Sequence, residues 1–94
     1  MRRFDGARAV VTGASDGIGR ATAIKFASEG AVVLAVDVNA AGLQATAASH
    51  NSIKTLIADV TAADAAELIC STAARALGGI DVLVNNAGVA YSAP

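Results

Sequence analysis

Short apolar runs rich in valine, isoleucine and leucine alternate along the chain with longer, alanine-rich stretches of helical periodicity. The short runs predict β-strands at about residues 8–12, 31–36, 53–58 and 80–84. The stretches between them predict helices at about residues 17–29, 40–48 and 62–77. This β-α-β-α-β-α-β order is typical of an α/β fold in which helices cover a parallel sheet.

The second and fourth strands are apolar without alternation, over residues 32–36 and 82–84. Such runs are typical of strands that are buried on both faces of a sheet. The chain has 94 residues, which is enough for one small domain, and no linker or repeat divides it. We therefore expect a single packing unit built mainly from aliphatic side chains.

Charge and composition exclude several kinds of partner. Seven basic and eight acidic residues give a net charge of −1, so nucleic-acid binding has no electrostatic support. No apolar run approaches the roughly 18 residues of a membrane-spanning helix, and we expect no membrane partner. Cys70 is the single cysteine, which favours a reducing, cytoplasmic location, and no residue spacing predicts a metal site.

The first strand runs directly into a glycine-rich segment, TGASDGIG at residues 12–19, which opens the first helix. Backbone N–H groups at the start of a helix have no partners within the helix, and the helix dipole adds partial positive charge there. Glycine removes the side chain and permits a positive φ, so a diphosphate can approach the backbone. The sequence therefore predicts a nucleotide-binding turn around Gly13, Gly17 and Gly19.

The motif T-G-x-x-x-G-I-G at residues 12–19 is joined by N-N-A-G at residues 85–88, after the fourth strand. With both motifs, the chain resembles the short-chain dehydrogenase/reductase family of the classical type over nearly its whole length. The resemblance implies a Rossmann-like three-layer fold whose four-stranded parallel sheet has the order 3-2-1-4, with helices on both faces. The glycine spacing argues against the extended branch of the family, which includes nucleotide-sugar epimerases.

Asp37 closes the second strand, where a carboxylate can accept hydrogen bonds from both ribose hydroxyls of an adenosine. The same charge would repel a 2′-phosphate. By resemblance, relatives that use NADP often carry Arg or Lys at the positions of Asp16 and Val38. The sequence thus predicts NAD as the cofactor, and the alternative is that Asp37 is an ordinary polar strand terminator.

The resemblance implies further cofactor contacts at the ends of the third and fourth strands. Asp59 would meet the adenine amino group and the Val60 backbone would help to fix the ring. Asn85 would support the sheet and line the cofactor ribose, while Ala87 and Gly88 would keep bulk away from the cofactor. The alternatives are that Asp59 is a loop residue and that the asparagines form a simple turn.

For two residues of the glycine segment we expect particular contacts. Ser15 is expected to donate to the cofactor ribose or phosphate, and Ile18 to pack the first helix and approach the nicotinamide side. Outside the turn, Arg20 is predicted to be a solvated charge and Cys70 a packed thiol. Thr61 is predicted to cap the third helix, with Asp64 as a partial capping-box partner.

Catalysis in the family depends on a Tyr-x-x-x-Lys pair, an upstream serine and an asparagine on the fourth helix, all of which fall beyond Pro94. Tyr91 has no lysine partner and is not assigned a catalytic role. We therefore expect residues 1–94 to be the N-terminal part of one dinucleotide-binding domain, inactive alone. The parent would be a homo-oligomeric oxidoreductase acting on a small alcohol or carbonyl. The alternatives are a non-catalytic NAD-binding or sensor module and a methyltransferase.

Overall fold

A computed structural model describes residues 3–86, which form a four-stranded parallel sheet and three helices. The strands are β1 (Arg8–Thr12), β2 (Val32–Asp37), β3 (Ile53–Ile57) and β4 (Val82–Asn85). The helices are α1 (Gly17–Ser28), α2 (Ala40–Ala47) and α3 (Ala65–Ala76). The strand order is β3-β2-β1-β4, and every pairing is parallel. The predicted α/β architecture and its sheet order are confirmed.

Helices cover both faces of the sheet because successive strand residues point to opposite sides. On one face, α1 and α2 pack against Val11 and Val33, with Leu43 of α2 fully buried among them. On the other face, α3 packs Ile69 against Val10 of β1. The three-layer arrangement therefore follows from the alternation within β1 and β2, the two strands at the centre of the sheet.

The third helix begins at Ala65, three residues later than its sequence pattern predicts. Thr61 does not cap it, and the prediction of a capping box was wrong. The Thr61 hydroxyl and amide instead donate to Asp59 Oδ1, at 2.6 and 2.9 Å. This local turn is formed by a carboxylate two residues upstream, which competes with a helix for the same donors.

β4 is an edge strand of the described sheet, although its sequence is that of an interior strand. Leu83 exposes 60% of its surface, whereas Leu34 of β2 is fully buried. The apolar run of β2 is buried as its pattern predicts, whereas the similar run of β4 is partly exposed because the predicted order 3-2-1-4 places that strand at an edge of the described sheet. No helix of this part of the chain has the length and apolar content of a bilayer-spanning segment.

The start of β4 is tied to the start of β1 by an ion pair between Arg8 and Asp81. The Arg8 Nε and backbone N donate to Asp81 Oδ2 at 3.0 and 2.9 Å, and Nη2 donates to Oδ1 at 2.9 Å. A further bond from Nη1 reaches the Gly78 carbonyl at 2.9 Å. The Arg8 side chain, followed by its backbone amide, lowers the pKa of Asp81 to about 2.

We expect this ion pair to make the protein acid-sensitive. A carboxyl whose pKa is about 2 when folded, against about 3.9 when unfolded, stabilises the fold above pH 4 and loses that contribution as pH falls towards 2. Urea unfolding between pH 6 and pH 2 should therefore show a smaller acid-dependent loss in Asp81→Asn than in the wild type. Glu67→Gln, which removes an exposed carboxylate of α3, is the control. An unchanged acid dependence in Asp81→Asn would contradict the assignment.

Candidate functional site

The glycine turn between β1 and α1 is shaped by backbone conformation and close packing. Gly13 and Gly17 have φ values of 65° and 55°, in the left-handed region that favours glycine. Gly19 has a different function, because a Cβ on it would lie 1.7 Å from the Gly13 carbonyl oxygen. The amide of Ala14 donates to the Val36 carbonyl at 3.2 Å and fixes the turn to β2.

The start of α1 is open on its outer side. Asp16 occupies the N-cap position with extended backbone and makes no side-chain capping bond. Asp16, Gly17 and Ile18 are all exposed. Ile18 exposes 78% of its surface, so the expectation that it packs the first helix is wrong within residues 3–86, and its approach to a nicotinamide stays a prediction. No acidic side chain lies in the first turn of α1. The first-turn amides are therefore free of a capping side chain, and this arrangement fits an anionic ligand.

Asp37, at the end of β2, is half-buried and directed at the glycine turn. Its Oδ2 accepts from the Ser15 amide at 3.2 Å, and its Oδ1 accepts from the amides of Val38 and Asn39 at 2.7 and 3.3 Å. Burial raises the pKa of Asp37, but hydrogen bonds from Ser15 and from these amides outweigh burial and leave the pKa below the ordinary value of an aspartate. The carboxylate is thus ionised and held in place at neutral pH.

A cleft of about 240 Å³ lies at the carboxyl ends of β1, β2 and β3, the edge at which open α/β sheets bind ligands. Its lining consists of Gly13, Asp37, Val38, Ala58, Asp59, Val60 and Thr61. Four of these residues were predicted from the sequence to bind the cofactor, although they are spread over nearly 50 positions of the chain: Gly13, Asp37, Asp59 and Val60. The cleft combines two carboxylates with small apolar walls, and no Lys or Arg lines it among the described residues.

Asp59 is held in a fixed turn at the mouth of this cleft. The Thr61 hydroxyl, followed by the Thr61 amide, lowers the pKa of Asp59. Asp59 is exposed, and Val60 beside it is half-buried. Both residues are positioned to meet a ligand in the cleft, and their contacts with adenine stay a prediction.

Thr12 connects β1 to Asn85 at the end of β4. Its hydroxyl donates to Asn85 Oδ1 at 2.8 Å and accepts from the Asn86 amide at 3.0 Å. A second, mostly apolar cavity of about 200 Å³ between α3 and β4 includes Thr12, Asn85 and Val60, so Val60 lines both cavities. The predicted contacts of Ala87 and Gly88 lie outside the described residues.

Ser15 is buried, with 4% of its surface exposed, so its direct contact with a cofactor also stays a prediction. Cys70 is exposed, and the prediction of a packed thiol was wrong.

Arg20 was predicted to be a solvated charge, and the structure shows that this prediction was wrong. Its Nε donates to the buried Thr46 hydroxyl at 3.0 Å, and its Nη2 donates to the Ser15 carbonyl.

The position of α2 explains why the sequence did not indicate these contacts. Thr46 lies one helical turn after Gly42, and both residues face the glycine turn. The spacing of a small residue and a hydroxyl on one helical face is a weak signal, since it is equally common in helices that bind nothing. Only the tertiary approach of α2 to residues 14 and 15 gives Arg20 its partners.

The chain is similar in sequence to known dehydrogenases. The profile of the short chain dehydrogenase family matches residues 7–94. D-threitol dehydrogenase from Mycolicibacterium smegmatis is 43% identical, over 98% of this chain and 37% of its own length. Dehydrogenase/reductase SDR family member 6 from Xenopus laevis is 45% identical, over 97% of this chain and 35% of its own length.

Solved structures show the same likeness. Glucose dehydrogenase of Caenorhabditis elegans in the apo form superposes with a TM-score of 0.83 and 38% identity, over 89% of this chain and 38% of the other. A short-chain dehydrogenase/reductase of unknown function from the same organism, solved with cofactor, gives a TM-score of 0.80 and 36% identity, over 86% and 32% of the two chains. The chain thus spans about a third of the length of these relatives.

Proposed function

Because the chain belongs to the short-chain dehydrogenase family, we propose that it is the cofactor-binding N-terminal part of an NAD-dependent oxidoreductase. The parent protein would transfer hydride to or from the carbon of a small alcohol or carbonyl compound. One observation carries this proposal: the cleft at the sheet edge brings Gly13, Asp37, Asp59 and Val60 together beside the open start of α1.

The residues of the cleft suit the parts of a dinucleotide. The free amides at the start of α1 would hold the diphosphate, because they offer donors and partial positive charge. The ionised Asp37 would accept from the ribose hydroxyls. Val38, Val60 and Ala58 would supply apolar surface for the adenine ring, and Asp59 lines the same cleft.

Preference for NAD over NADP rests on the charge of this cleft. A 2′-phosphate on the ribose would lie beside the carboxylate of Asp37, which is ionised at neutral pH. No Lys or Arg lines the cleft among the described residues to compensate for that second negative charge. The ribose without the phosphate can instead donate a hydrogen bond from each of its two hydroxyls to the same carboxylate.

A bound nicotinamide would accept or donate the hydride, and the described residues would bind and orient the adenosine and diphosphate. Hydride transfer to a carbonyl also needs a proton donor at the carbonyl oxygen. None of residues 3–86 is assigned that function, so the chain alone would bind cofactor without turnover. We further propose that the parent is cytoplasmic and homo-oligomeric.

Calorimetric titration of the chain with NAD, NADP and S-adenosylmethionine tests the proposal. NAD should bind more tightly than NADP, and S-adenosylmethionine should not compete with NAD. Preferential binding of S-adenosylmethionine would indicate a methyltransferase and would overturn the proposed function. NAD binding without dehydrogenase activity in the parent would indicate a sensor.

A further inference from the structure

The inner side of the glycine turn, facing α2, contains a polar cluster made by Arg20 and Thr46. The Thr46 hydroxyl donates to the Ala14 carbonyl at 2.7 Å and accepts from Arg20 Nε at 3.0 Å. Arg20 Nη2 donates to the Ser15 carbonyl and to the Gly42 carbonyl, the latter at 3.3 Å. Thr46 is fully buried. Two successive carbonyls of the turn are therefore held towards α2.

Holding these carbonyls also fixes where the turn's amides point. A trans peptide is planar, and its C=O and N–H groups point in opposite directions. With the carbonyls of Ala14 and Ser15 directed at α2, the amides of Ser15 and Asp16 are directed away from it. The Ser15 amide accordingly reaches Asp37 Oδ2 at 3.2 Å, on the side of the cleft.

We propose that Arg20 and Thr46 are positioning residues that hold the glycine turn so that the Asp16 amide faces the cofactor diphosphate, while the Ser15 amide stays bonded to Asp37. The inference rests on the proposed cofactor function. It adds the side chains that would orient the Asp16 amide towards the diphosphate. Arg20 belongs to none of the ion pairs found among the described residues, so its charge is not neutralised by a carboxylate. That charge adds to the positive potential at the turn.

The same contacts join the diphosphate side of the site to the ribose side. A Cβ on Gly42 would lie 2.6 Å from Ser15 Cβ, so α2 can approach the turn only because residue 42 has no side chain. The cap of α2, Asn39, accepts from the Gly42 amide at 3.0 Å, and its own amide donates to Asp37 Oδ1 at 3.3 Å. Displacement of the whole of α2 would therefore disturb the turn and Asp37 together, whereas loss of the Thr46 hydroxyl alone leaves Asp37 its bonds from the amides of Val38 and Asn39.

The test compares ADP with adenosine, because only ADP has a diphosphate. In Thr46→Val, which removes the hydroxyl at nearly constant volume, the dissociation constant of ADP should rise about tenfold, while that of adenosine should change less than twofold. Thr46→Ser, which keeps a hydroxyl, should restore ADP affinity. Both constants are measured by NMR titration, and the melting temperature is recorded for each variant.

Thr22→Val is the matched control, because the Thr22 hydroxyl bonds only within α1, to the Ile18 carbonyl at 2.7 Å. Arg20→Lys keeps the positive charge but loses the forked geometry of the guanidinium, so it should also weaken ADP binding and leave adenosine binding nearly unchanged. This variant keeps the test possible if Thr46→Val does not fold. A lower melting temperature with an unchanged ratio of ADP to adenosine affinity would overturn the inference. A wild type that binds neither NAD nor ADP would overturn the proposed function instead.

Discussion

Replacing Gly19 with alanine is expected to raise the dissociation constant of NAD at least 100-fold. The new Cβ would lie 1.7 Å from the Gly13 carbonyl oxygen and 2.5 Å from its carbon. Both atoms belong to the backbone, so no flexible side chain can move aside. The turn must shift as a whole, and its amides lose their alignment with the diphosphate. Forced overpacking of this kind costs about 1–3 kcal/mol of folding free energy.

The matched control for this substitution is Gly6→Ala, in the segment before β1. Gly6 has a φ of 81°, but a Cβ there would have no atom within 4 Å. Alanine at that position should cost about 1–2 kcal/mol through backbone strain alone and should leave NAD affinity intact. Calorimetry with NAD and urea unfolding of both variants separate the two effects. Wild-type NAD affinity in Gly19→Ala would show that the diphosphate binds elsewhere.

Neutralising Asp37 is expected to remove the preference for NAD over NADP. At an effective dielectric constant of about 20, two unit charges about 4 Å apart interact by about 4 kcal/mol. Solvent screening of a half-buried carboxylate reduces this to about 2 kcal/mol, or roughly thirtyfold in NADP affinity. Asp37→Asn also weakens the bonds to the ribose hydroxyls, so the ratio of NAD to NADP affinity should fall by about 100-fold.

Parallel titrations of wild type, Asp37→Asn and Asp59→Asn with both cofactors measure that ratio. Asp59→Asn is the control, because the adenine that it would contact is common to NAD and NADP and the ratio should not change. Hydrogen bonds hold the pKa of Asp37 below its ordinary range, so the carboxylate stays ionised and the wild-type preference should persist from pH 8 down to pH 5. Tighter binding of NADP than of NAD by the wild type would contradict the assignment of the cofactor.

Local patterns in the sequence predicted the elements, while the sheet order came from family resemblance. The first strand was predicted with the bounds that the structure shows, because a short apolar run between turn residues is a local signal. The edge position of β4 follows from the sheet order and not from its own residues. An apolar run such as residues 82–84 is typical of interior strands, but its burial depends on which elements lie beside it.

Much of the cleft could be inferred because parallel strands end at a common edge. Asp37 ends β2 and Asp59 follows β3, so they had to lie near the turn that follows β1. The partners of Arg20 could not be inferred, since Thr46 is 26 residues away and is brought near only by the docking of α2. Thr61 was predicted to cap a helix, but its hydroxyl donates to Asp59 instead, so even a contact between near neighbours was not predicted correctly.

The central position of β1 has a consequence for synthesis on the ribosome. β1 pairs with β2 after one short crossover, whereas its pairing with β4 joins residues more than 70 positions apart, as in the bond from Thr12 to Asn85. Every residue that lines the cleft precedes Ala62. When residues up to 61 have emerged from the ribosome, every residue of the cleft lining is available for folding, while β4 is still held in the exit tunnel.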